Sequence, residues 1–129
     1  MNILNVREYI ETFLKIRTKD GTLMPLRLNQ PQDRMYQAVK SQWDAGKPVR
    51  IIVLKARQMG FSTLTEAIIF AITATRFYTD CMIVAHKDEA TANLFRMSLR
   101  YYENLPEPMK PMRKASNAHE LVFDKPAHY

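Results

Sequence analysis

The residues with the clearest chemical potential lie in one short stretch, "IIVLKARQMGFST", residues 51–63. A β-branched apolar run ends in a polar loop, and the loop closes on Gly60, Phe61, Ser62 and Thr63. The spacing approaches the phosphate-binding pattern G-x-x-x-x-G-K-[ST]. It departs at two positions: Lys55 stands where the first glycine belongs, and Phe61 stands where the lysine belongs. A loop of this kind works by geometry. The chain leaves a strand, wraps its N–H groups round phosphate oxygens, and enters a helix whose N-terminus carries partial positive charge.

Each residue of the loop has a task on that reading. Gly60 stands where backbone must approach phosphate and a Cβ would intrude. The Ser62 hydroxyl is placed to ligate Mg²⁺, and Thr63 to donate to an α-phosphate oxygen. The cation for the β- and γ-phosphates must come from Lys55, with its flexible stem, or from Arg57, with its planar fork. Ala56, Gln58 and Met59 complete the loop, and Phe61 packs beneath it. The competing reading is a plain strand-to-helix turn capped by Ser62.

The elements that must hold this loop follow from periodicity. Val6, Tyr9, Ile10, Phe13 and Leu14 predict an amphipathic helix over 5–17. Lys19-Asp20-Gly21 is a turn signal, and 22–29 is extended. Pro31 suits the first turn of a second helix, with Asn29 or Gln30 near its start and Met35, Val39 and Trp43 on one face. Gly46 and Pro48 end it. Residues 49–54 read as a buried strand. Residues 62–75 read as a buried helix, 81–85 as a second strand, and 87–104 as a long helix. A Pro-rich break covers 105–111, and 119–123 is a weaker strand. Strand, loop, buried helix, strand, helix is the order of a doubly wound α/β sheet. It divides the chain into a helical lead-in at 1–48 and a strand–loop–helix unit at 49–129. The last strand has no helix after it, so the chain reads as the N-terminal piece of something longer.

Composition narrows the function classes. The 129 residues carry a formal charge of +6. All of that excess sits in residues 1–58, with 11 basic against 5 acidic, while 59–129 balance at 8 and 8. Such asymmetry is compatible with a polyanionic partner. No apolar run nears the roughly 18 residues that cross a membrane, and the start lacks the layout of a secretory signal. The single Cys81 excludes an internal disulfide and reads as a buried thiol of a cytosolic protein.

"LKARQMGFST" resembles the deviant Walker A of viral large terminase subunits, the ATPase motors that package DNA, in its lambda-type form with lysine at the start of the loop. "LRLNQPQDRMYQAV" is similar to the adenine-recognising Q motif, with Gln32 the best match and Gln30 the runner-up. "CMIVAHKDEATANLF" looks like the next core strand and helix of these motors. The resemblance covers about residues 22–105. It implies an incomplete P-loop NTPase sheet of the ASCE type preceded by N-terminal helices, with ATP and Mg²⁺ as cofactors. By resemblance, Lys55 takes the phosphate contact, Arg57 senses the γ-phosphate, Gln32 reads adenine, and His86 and Lys87 approach DNA. The implied partners are double-stranded DNA, a terminase small subunit, and the portal of a procapsid. Self-association of the motor is a further expectation, and the place is the cytoplasm of an infected bacterial host. The Walker B pair, the coupling motif and the nuclease cluster are absent from this stretch. Asp124 follows a short apolar run, but Lys125 comes next. The chain itself therefore holds no catalytic residue, and hydrolysis belongs to a longer parent. Two other readings share the residues: a helicase-like translocase, which Phe61 opposes, and a non-catalytic binding module with a decayed nucleotide site.

Overall fold

The computed structural model describes residues 3–54, 60–76, 79–85, 87–116 and 121–125. Helix α1 (Ile3–Phe13) is followed by strands β1 (Lys15–Arg17) and β2 (Leu23–Pro25). Helices α2 (Gln30–Asp44), α3 (Phe61–Thr75) and α4 (Asp88–Glu103) come next, and a hairpin of β3 (Met112–Ser116) and β4 (Leu121–Lys125) ends the described chain. Both sheets are two-stranded and antiparallel.

α1 stops four residues short of its predicted end. Lys15–Arg17 turns instead into a strand that pairs with Leu23–Pro25, Ile16 facing Met24 in the register. The turn chemistry explains the change. Thr18 N donates to the Thr22 carbonyl at 2.8 Å, Gly21 takes a positive φ of 87°, and the Asp20 carboxylate accepts from Thr22 N at 3.0 Å. A hairpin closed this tightly draws its first strand out of the helix.

α2 begins as its sequence indicates. Asn29 caps it through a reciprocal box: Gln32 N donates to Asn29 Oδ1, and Asn29 N donates to Gln32 Oε1, each at 2.9 Å. Pro31 occupies the first turn, where its missing N–H costs no helical bond. Gln32, Tyr36 and Val39 form the buried stripe of α2, with Met35 and Trp43 packed partly against the core. Arg7 ties α1 to this helix by ion-pairing with both Glu11 and Asp33.

The core gathers Val6, Ile10 and Leu14 from α1 and its end, Tyr36 from α2, Leu64, Phe70 and Ala71 from α3, and Tyr101 from α4. α3 touches α1, α2 and α4, which suits a helix that is apolar nearly all round.

The two predicted core strands are not formed. Neither 49–54 nor 81–85 enters a ladder among the described residues. A strand needs a neighbour for its N–H and C=O groups, and among the described residues the first stretch is met at Arg50 by a side chain. Gln42 accepts from Arg50 N at 2.6 Å and donates to the Arg50 carbonyl at 3.1 Å. Ile51 packs on the core, while Ile52 is 93% and Leu54 95% exposed. Met82 and Val84 are each 83% exposed. Cys81 is exposed too, its Sγ 3.0 Å from Thr73 Oγ1, which corrects the expectation of a buried thiol. The doubly wound sheet therefore remains an expectation from sequence order.

Candidate phosphate-binding site

The site is built round the start of α3. Gly60 takes the N-cap position with φ 79° and ψ 15°, in the left-handed region. Its carbonyl accepts the first helical bond from Leu64 N at 3.1 Å. The same carbonyl accepts from Gln32 Nε2 at 2.8 Å. A Cβ on Gly60 would lie 2.6 Å from Gln32 Nε2, so two separate constraints require glycine here.

Gln32 thus joins two motifs that lie 28 residues apart. It is 4% exposed, with Oε1 bonded to Asn29 N and Nε2 to Gly60. An amide retains one further N–H and one further lone pair beyond those bonds, and any contact with adenine must use them. Gln30, the runner-up, is exposed.

No side chain of the cap residue closes the first turn of α3. Ser62 is not the cap, because Gly60 holds that position, and Ser62 stands exposed on the first turn. Phe61 is half-buried, and its carbonyl accepts from Thr65 Oγ1 at 2.8 Å. Thr63 is half-buried, and its carbonyl accepts from the Tyr101 hydroxyl at 3.0 Å, which pins α4 to this turn. Burial pushes the Tyr101 hydroxyl well above its usual range. The arrangement presents an exposed hydroxyl at the positive end of a 15-residue helix, next to a glycine held open from behind.

The other expected site residues fall elsewhere. Lys55, Ala56, Arg57, Gln58 and Met59 lie outside the described residues, as does His86. Lys87 is exposed at the N-cap of α4, its carbonyl accepting from Thr91 N at 3.1 Å. No group of three or more His, Cys, Asp or Glu able to hold a metal occurs among the described residues.

Glu66, one turn beyond Ser62, escaped the sequence reading. It is 2% exposed, and its Oε2 accepts from the Ser98 hydroxyl at 3.0 Å. Burial pushes its carboxyl above the usual range, against the smaller pull of Ser98. The signal was present in the sequence: Glu66 is the only ionisable residue in "FSTLTEAIIFAITAT".

Compared with known protein families, with curated proteins and with solved structures, the chain has no match. Among the described residues, no helix is long and apolar enough to cross a membrane.

Proposed function

We propose that this chain is the nucleotide-binding, N-terminal part of a DNA-packaging motor of the large-terminase kind. One observation carries the reading: the left-handed Gly60 that opens α3 is held by Gln32 from the lead-in. The Q-like stretch and the glycine that closes the loop lie 28 residues apart in sequence, and a hydrogen bond joins them. A plain strand-to-helix turn has no need of a buried amide behind its glycine.

In this reading Mg-ATP supplies the phosphoanhydride whose hydrolysis by the longer parent drives DNA movement. The residues that would hold it are Lys55 and Arg57 on the phosphates, Ser62 at Mg²⁺ and Thr63 beside the α-phosphate. Gln32 sets the loop's glycine and keeps one donor and one acceptor for the base. The partners are double-stranded DNA, a small subunit and a portal-bearing procapsid, met in the cytoplasm of an infected bacterium.

Thermal unfolding with Mg-ATP tests the reading, comparing the chain with K55A and R57A. A ligand specific to the native state at 100 times its Kd stabilises by roughly 2.7 kcal/mol. The expected result is a shift that K55A abolishes. A shift that survives K55A would remove Lys55 from the site. No shift in the unaltered chain would favour a binding module without nucleotide.

A further inference from the structure

A cleft of about 200 Å³ opens between β1, α4 and the first turn of α3. Three cations line it: Lys15 and Arg17 from β1, and Arg100 from the last turn of α4. Among the described residues, no carboxylate lines it. Among the described residues, none of the three belongs to an ion pair. Ile16 and Met97 give it apolar wall, and Thr63 and Tyr101 complete the lining. Like charges gathered without a counter-charge repel one another, and apolar surroundings weaken the screening. An anion relieves that repulsion.

The lining says which anion fits. Among the described residues, Tyr101 is the only aromatic ring in it. That ring is buried, with its hydroxyl committed to Thr63, so no base can stack on it. Two further cations stand near these residues in sequence. Arg96 stands one turn before Arg100 on α4, exposed and bonded to Asn93, and Lys19 is exposed at the end of the β1–β2 turn. Side chains four apart on a helix share a face. A cleft that offers three cations to one phosphate, with no described ring open for a base to stack on, matches a phosphate backbone better than a free nucleotide. We propose that Lys15, Arg17 and Arg100 form a contact for the phosphate backbone of duplex DNA, bordering the nucleotide loop at Thr63 but using none of the loop's cations. The choice of DNA as the polymer rests on the motor reading above. The cleft rests on its own geometry.

Contacts of this kind carry no sequence information, but they set the salt dependence of binding, with a log–log slope of about −0.9 per phosphate contact. The experiment is fluorescence anisotropy of a labelled mixed-sequence duplex, titrated without nucleotide between about 50 and 200 mM salt. K15Q/R17Q/R100Q should reduce the magnitude of the slope by about 2 to 3. A triple of equal charge change away from the cleft, K40Q/K47Q/K110Q, should reduce it by less than about 1. R17Q alone, at an exposed position, should reduce it by about 0.9, which keeps the test sound if the triple does not fold. An unchanged slope in both R17Q and the cleft triple would overturn the proposal, and so would an equal loss in the control triple. Loss of inorganic phosphate binding with DNA binding intact would reassign the cleft to a small anion. The two readings fail separately: DNA binding through the cleft with no Mg-ATP shift would sink the nucleotide site alone, and the reverse result would sink the cleft alone.

Discussion

Leu64 and Leu54 flank the loop sequence, and they end in opposite environments. Leu64 is 0% exposed on α3, in the middle of the core, whereas Leu54 is 95% exposed at the end of an apolar run. The difference lies in how each backbone is satisfied. α3 closes its own hydrogen bonds, so its side chains need only neighbouring faces, and α1, α2 and α4 supply them. The stretches at 50–54 and 79–85 need a second strand before their side chains can be buried. Gln42 substitutes for such a partner at Arg50 alone. The helical part therefore specifies itself, while much of the apolar runs stays exposed.

The largest effect expected of a substitution is also the most direct attack on this contrast. L64A should cost about 2–5 kcal/mol, the usual range for truncating a fully buried leucine. L54A makes the same chemical change at an exposed site and should stay within about 0.5 kcal/mol. Denaturant unfolding measures both. A cost for L54A near that of L64A would mean that this run is covered in solution, by a second copy or another partner. In that case Ile52, Met82 and Val84 belong to the covered patch as well.

The two glycines at helix ends allow a finer test. Gly46, at the end of α2, has φ 71° and nothing within 4 Å of a built Cβ. Gly60 has φ 79° and the Gln32 amide at 2.6 Å. G46A should cost only the left-handed penalty, about 1–2 kcal/mol. G60A should cost that and also displace a buried hydrogen bond worth about 1–3 kcal/mol when left unmade, a total of about 2–5 kcal/mol. Equal costs would mean that Gln32 moves aside freely, and the link between the lead-in and the loop would lose its weight.

Helix content was legible in the sequence because its causes are local. The apolar periodicity of α3 and α4 and the Asn29–Pro31 start of α2 gave those three helices nearly their observed bounds. α1 was overextended because the hairpin that recruits Lys15–Arg17 depends on residues 18–25, beyond the helical pattern. The apolar runs at 49–54 and 81–85 looked like strands because composition reports burial preference and says nothing of a pairing partner. At the site, the loop pattern points to Gly60 and the resemblance to Gln32, but their hydrogen bond is a tertiary fact. The basic cleft was invisible for the same reason, since Arg17 and Arg100 meet only after α4 packs on β1.

Glu66 offers the subtlest probe of the helical part, because among the described residues it is the one buried carboxylate. Its native pKa is raised by burial. Between the unfolded value near 4.5 and the raised native value, the native state holds a proton that the unfolded chain has released. Stability from this group must then fall as pH rises through that window and stay level above it. E66Q keeps an acceptor for the Ser98 hydroxyl and removes the titration. Its melting temperature should therefore lose less than that of the unaltered chain as pH is raised from about 4.5, and the difference between the two curves isolates Glu66 from every other carboxylate. A difference of opposite sign would mean that Glu66 is ionised in the native state. Hydrogen bonds donated to the carboxylate, or a cation brought against it, would have to outweigh its burial.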